Sequence, residues 1–110
     1  MSDELAAAKC QICAKGDAPL DEGEIAVLLG QIAGWKREGK FIAKTYRFTN
    51  YHETMAFVNA SAWISHRQDH HPDLSVAYNQ CRVAYTTHAV GGLSRNDFIC
   101  AAKVDALFKL

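Results

Sequence analysis

Three N-capping signatures divide this chain before any other feature does. Asp21-x-x-Glu24, Asn50-x-x-Glu53 and Ser94-x-x-Asp97 each set a short polar acceptor three residues ahead of a carboxylate. At a helix start the cap oxygen accepts an N–H that the first turn leaves unpaired, while the carboxylate reaches back to the cap's own N–H. The spacing predicts helices over about 22–33, 51–67 and 95–108. Ile25, Leu28, Leu29 and Ile32 give the first an apolar face, with Leu20 and Ile25 as a hydrophobic staple and Gly34 as its stop. Ala56, Phe57, Ala60, Trp63 and Ile64 give the second a stripe. The third, stapled by Leu93 and Phe98, carries Ile99, Ala102 and Ala106 alongside Cys100, Val104 and Leu107, an arc wider than one sheet contact requires.

The intervals between these helices read as strands. Trp35-Lys-Arg, a Glu38-Gly39 turn and the β-branched and aromatic run Phe41 to Phe48 predict a hairpin over 35–48. Asp73 to Tyr78 and Cys81 to His88 both alternate with period two around Asn79-Gln80, read as a two-residue loop. Leu74, Val76, Tyr78, Cys81, Val83 and Tyr85 then share the core face. The expected fold is α+β, in the order α-β-β-α-β-β-α, with a four-stranded antiparallel sheet and three helices on one face. Residues 1–18 read as a flexible N-terminal tail ending at the breaker Lys15-Gly-Asp-Ala-Pro19, and 19–110 as the domain.

Charge and cysteine usage narrow the function classes. Twelve Lys and Arg balance twelve Asp and Glu, so the basic excess of a nucleic-acid-binding surface is missing. Zero net charge also offers little resistance to self-association, and with the wide arc of the third helix it predicts a homo-oligomer. No apolar run approaches the ~20 residues of a membrane span, and the acidic start lacks the apolar core of an export signal. A cytoplasmic location is the expectation, with Cys10, Cys13, Cys81 and Cys100 as free thiols. Cys10-x-x-Cys13 is half of a zinc-ribbon pattern and reads as inert or redox-sensitive. There is no glycine-rich phosphate loop and no nucleophile elbow.

Chemistry concentrates in His66-Arg-Gln-Asp-His70-His71-Pro72 and Thr86-Thr87-His88. Histidine exchanges protons near neutral pH, so a cluster points to acid–base catalysis or to metal ligation. If Asn79-Gln80 is the turn, Tyr78 pairs with Cys81 and His71 falls opposite His88, with His70 adjacent. His66 and His70 have the i, i+4 spacing of a metal pair, and Asp69 and Asp73 could add carboxylates. Arg67, however, follows the first histidine where a metalloprotease helix has glutamate.

His66-x3-His70-His71-Pro72, then Tyr78, His88 and Asp97, together with His88-Ala-Val-Gly-Gly-Leu-Ser-Arg-Asn-Asp-Phe-Ile, resemble the pterin-4a-carbinolamine dehydratase family, in its bacterial and plant-type branch. The resemblance covers about residues 20–108. It implies the fold already read and an enzyme, a 4a-hydroxytetrahydrobiopterin dehydratase. Such a hydro-lyase gives quinonoid dihydropterin with no metal and no cofactor, the pterin being the substrate. It implies His70, His71 and His88 as catalytic, Pro72, Thr87, Ala89 and Val90 as substrate-binding, and His66 and Asp97 as supporting. Cofactor recycling for phenylalanine hydroxylase and a homodimer or homotetramer follow from the same resemblance. Animal relatives also act as interaction proteins, so an oligomeric regulatory protein is the alternative, and a His-rich metal-binding domain a lesser one. Two positions depart from the family pattern: His66, where an acid is common and where a second cation would lower the pKa of His70, and Ala89, where many relatives carry an acid.

Overall fold

The computed structural model describes residues 2–109. Four helices are present among them: α1 (Ser2–Ala7), α2 (Glu22–Leu29), α3 (Tyr51–Gln68) and α4 (Arg95–Ala106). The strands are β1 (Lys36–Glu38), β2 (Phe41–Arg47), β3 (Asp73–Val76) and β4 (Gln80–Tyr85). They form one antiparallel sheet in the order β1-β2-β4-β3, with the longest strands central. Among the described residues no helix is long and apolar enough to cross a membrane.

The helix starts follow the capping chemistry. Asp21 accepts from the Glu24 N–H at 2.8 Å while Glu24 accepts from the Asp21 N–H at 3.0 Å, which closes the box on α2. Asn50 caps α3 through the Glu53 N–H at 2.9 Å, and Ser94 with Asp97 closes a second full box on α4. The first helix ends earlier than its periodicity predicts, at Leu29, with Gly30 as its C-cap. Ile32, beyond that end, still lies in the core.

Ile42 and Tyr46 of β2 and Cys81, Val83 and Tyr85 of β4 project into the core and meet Phe57, Leu93, Phe98 and Ile99. Of the expected stripe on α3, Phe57 is buried and Ile64 packs against the core, whereas Ala56 and Trp63 are exposed; the buried row is Thr54, Phe57 and Ser61. Two of these three are polar, which hides the row from a hydropathy reading. Their hydroxyls are satisfied locally: Thr54 donates to the carbonyls of Asn50 and Tyr78, and Ser61 to that of Val58.

Two expectations need correction. The hairpin turns at Tyr78-Asn79, not at Asn79-Gln80: the Ala77 N–H donates to the Gln80 carbonyl at 2.9 Å, and Val76, not Tyr78, pairs with Cys81. The pairing moves by two residues, so Leu74 and Val76 keep the face of Val83 and Cys81, but Val76 and Tyr78 are exposed rather than in the core. The ladder stops at Asp73 opposite Ala84 and never sets His71 against His88.

Within the expected tail of residues 1–18, the described residues 2–18 also differ from that expectation. Leu5 of α1 is fully buried in the core against α4, and Lys103 of α4 donates to the Ala6 carbonyl at 2.6 Å. The wide apolar arc of α4 is therefore covered from within the chain by α1 and does not by itself argue for self-association. Replacing Leu5 with alanine should cost about 2–4 kcal/mol, measured as a lowered midpoint in urea unfolding. An unchanged midpoint would mean that α1 contributes nothing to the fold.

Candidate active site

One end of the sheet carries a cavity of about 470 Å³, within the range of small-molecule sites. His70, His71, His88, Thr86, Thr87 and Ala89 line it together with Cys10–Cys13, the C-terminal end of α3 and Asn96. The three imidazoles expected to converge do so, but by helix ends rather than by strand pairing. At the C-cap of α3, Asp69 adopts the left-handed conformation (φ 52°, ψ 43°) and turns the chain so that His70 and His71 leave the helix sideways. After β4, Thr87 and Gly92 form an isolated antiparallel bridge that closes a single 3-10 turn over His88–Val90. This turn brings His88 and Ala89 to the same rim.

His70 is half-buried, whereas His71 and His88 are exposed. Its Nε2 lies 2.6 Å from Asp97 Oδ1, and its ring stacks on Tyr85 at 5.8 Å and 12°. Asp97 is fully buried and accepts two more hydrogen bonds at Oδ2, from Thr87 Oγ1 at 2.8 Å and the Ser94 N–H at 2.9 Å. The same carboxylate that starts α4 therefore holds the histidine, and its structural and site roles coincide. Burial by itself would lower the His70 pKa. The Asp97 hydrogen bond and charge, helped by Cys10 and Asp69, outweigh that and raise it above the usual histidine value.

The remaining expected residues divide. Thr87 and Ala89 line the cavity, but Pro72 and Val90 do not. Val90 is buried beneath the turn. His66 is exposed on α3 and packs on Trp63, ring centroids 5.5 Å apart. It does not enter the electrostatics of His70, whose pKa moves up rather than down as expected from a second cation. The i, i+4 geometry expected of a metal pair is not kept, because α3 ends at Gln68 and His70 lies beyond the left-handed Asp69. Among the described residues no group of three or more His, Cys, Asp or Glu is arranged to hold a metal ion.

Sequence reasoning missed the wall made by Cys10–Cys13. Gln11 N–H donates to Asn96 Oδ1 at 2.9 Å, Asn96 Nδ2 donates back to the Gln11 carbonyl at 2.6 Å, and the Cys10 N–H donates to Gln68 Oε1 at 2.9 Å. The Gly16 N–H reaches the Ala89 carbonyl at 3.2 Å. A strap over residues 9–16 thus joins α3, α4 and the His88 turn across the cavity. A buried asparagine at the second position of a helix was the available signal, since such a group needs partners for both ends of its amide.

Comparison with known proteins agrees with this architecture. Residues 18–107 match the pterin 4 alpha carbinolamine dehydratase family. A chain of Nitrosospira multiformis with the provisional name pterin-4-alpha-carbinolamine dehydratase is 58% identical over 98% of this chain and 96% of its own length. A second, from Nitrosomonas eutropha and named in the same way, is 59% identical over 94% and 93%. Among solved structures, one described as a transcriptional coactivator/pterin dehydratase from Brucella melitensis is 27% identical. It superposes with a TM-score of 0.78 over 81% of this chain and 97% of that chain. Another, described as a pterin dehydratase-like protein and a RuBisCO assembly factor in the alpha-carboxysome, gives 0.59 at 27% identity over 67% and 88%. By sequence over nearly its whole length and by fold, this chain belongs to the pterin 4 alpha carbinolamine dehydratase family.

Proposed function

We propose that this protein dehydrates 4a-hydroxytetrahydropterins to quinonoid dihydropterins by histidine acid–base catalysis, without a metal ion or cofactor. The observation that carries the reading is the His70–Asp97 pair at 2.6 Å on the wall of a cavity that two further imidazoles line. Loss of water breaks the C4a–O bond, removes the N5 proton and leaves a C4a=N5 double bond. The hydroxyl departs as water only if a proton reaches it, and the N5 proton needs an acceptor.

His70 is the donor. Asp97 favours its imidazolium near neutral pH and engages Nε2, which leaves Nδ1 as the nitrogen free for the substrate. His88, which lines the same cavity, withdraws the N5 proton, and His71 positions the ring. Thr87 donates to Asp97 and fixes the carboxylate against His70. The pterin is the substrate class that the family name supplies, and recycling of the pterin cofactor of an aromatic amino acid hydroxylase, phenylalanine hydroxylase first, is the wider role proposed with it.

Stopped-flow decay of a 4a-hydroxytetrahydropterin, generated in situ, tests the reading. The protein should accelerate decay by orders of magnitude over buffer, undiminished after dialysis against a chelator. Decay at the buffer rate would remove the enzyme reading, and loss of activity on chelation would remove the metal-free one.

A further inference from the structure

The Cys10-x-x-Cys13 pattern is not absorbed by the acid–base site, yet the structure places it against a third thiol. Cys10 Sγ lies 3.5 Å from Cys100 Sγ, from residues 90 apart in sequence. Cys10 is half-buried and lines the cavity, whereas Cys100 is fully buried in α4. All four cysteines are free thiols. We propose that Cys10 and Cys100 form a peroxide-reactive dithiol, whose oxidation to a disulfide bonds the strap to α4 and fixes one wall of the histidine cavity.

The local chemistry suits the two steps. The hydrogen bond from Cys100 comes first in holding the Cys10 thiol below its usual range, with His70 and Lys103 adding positive charge nearby. An accessible thiolate among cations is the reactive kind. Its sulfur attacks one peroxide oxygen: an S–O bond forms, the O–O bond breaks, and the departing hydroxide takes a solvent proton to become water. Cys100 sulfur then attacks Cys10 sulfur. An S–S bond forms, the S–O bond breaks, and hydroxide leaves with the Cys100 proton as a second water. The two thiols lose two electrons and the peroxide gains them.

Cys100 is held above the usual thiol range chiefly by its bond to Cys10. The part due to that bond disappears once Cys10 carries oxygen, while the burial of Cys100 still acts in the same direction. The Tyr85 hydroxyl is the only buried side-chain polar atom without a hydrogen-bond partner among the described residues. Burial chiefly, with Cys100, Cys10 and Asp97 adding to it, raises its pKa and keeps it a neutral, unused donor.

The test does not depend on pterin turnover, so its failure and that of the dehydratase reading are separate. The full chain is treated with hydrogen peroxide, and its thiols are counted and its non-reduced peptides mapped by mass spectrometry. The four thiols should fall to Cys13 and Cys81 with a Cys10–Cys100 bond, reversed by dithiothreitol. Cys13→Ser should behave as the parent. Cys10→Ser, which leaves the core intact, and Cys100→Ala should both lose the bond. Amide exchange across the strap should slow by about tenfold or more on oxidation. A Cys10–Cys13 bond, an intermolecular bond, or Cys10 over-oxidised with Cys100 untouched would overturn the proposal. Unchanged strap exchange in the cross-linked protein would overturn the fixed wall.

Discussion

Alanine at His70 or at His88 is expected to slow dehydration of a 4a-hydroxytetrahydropterin by about 10²–10⁴-fold, the usual worth of a positioned acid or base. The two losses have different origins. His70→Ala removes the donor and leaves Asp97, fully buried, facing a void that solvent or a cation would enter. His88→Ala removes an exposed side chain from a short turn and should leave the fold untouched. Turnover at saturating substrate should therefore fall in both, with stability reduced only in the first. His71→Ala should raise KM more than it lowers kcat, in keeping with a positioning role. Should both of the first two variants retain more than about a tenth of the parent rate, the acid–base assignment fails.

The largest expected effect on stability belongs to Asp97. Its carboxylate partners a ring nitrogen, a buried hydroxyl and a helix-start amide at once. Asp97→Ala strips a partner from each, and loss of one member of a buried charged pair typically costs about 3–5 kcal/mol. The amide of Asp97→Asn keeps an acceptor for the cap but not the charge that favours the His70 imidazolium, and it supplies a pH signature. Because the folded state raises the His70 pKa above its ordinary value of 6.5, the pair's contribution is complete below that value. It is lost as pH rises through the higher folded value. Urea unfolding should show the parent losing stability over this interval and Asp97→Asn showing no such loss. A parent whose stability climbs over the same interval would contradict the raised pKa.

The legible parts of this chain were those in which one residue type had one job. Asp21, Asn50 and Ser94 announced helix starts because a cap oxygen three residues before a carboxylate has few other uses. The buried face of β4 was legible as well, since a turn displaced by one residue shifts the pairing by two and preserves alternation, whereas the edge strand β3 leaves Val76, expected in the core, exposed. The register itself was not, because Tyr78-Asn79 and Asn79-Gln80 both contain the asparagine that a tight loop favours. His70, His71 and His88 were found as a group, although the pairing invoked to unite them does not exist. The spacing marks Asp97 only as a cap, its supporting site role comes from the family resemblance, and the structure shows that its other oxygen faces His70. The strap escaped notice because its order comes from Asn96 and Gln68, residues distant in sequence, and not from any periodicity of its own.

The left-handed bend at Asp69 sets two demands on this protein against each other. An L side chain holds such a conformation at a cost of about 1 kcal/mol, and it does so at the residue immediately before His70. Glycine there would relieve the cost and also widen the directions in which the chain can leave α3. Selection for heat tolerance alone would favour that exchange and blunt the aim of the imidazole, so a hardier descendant of this chain need not be a faster one.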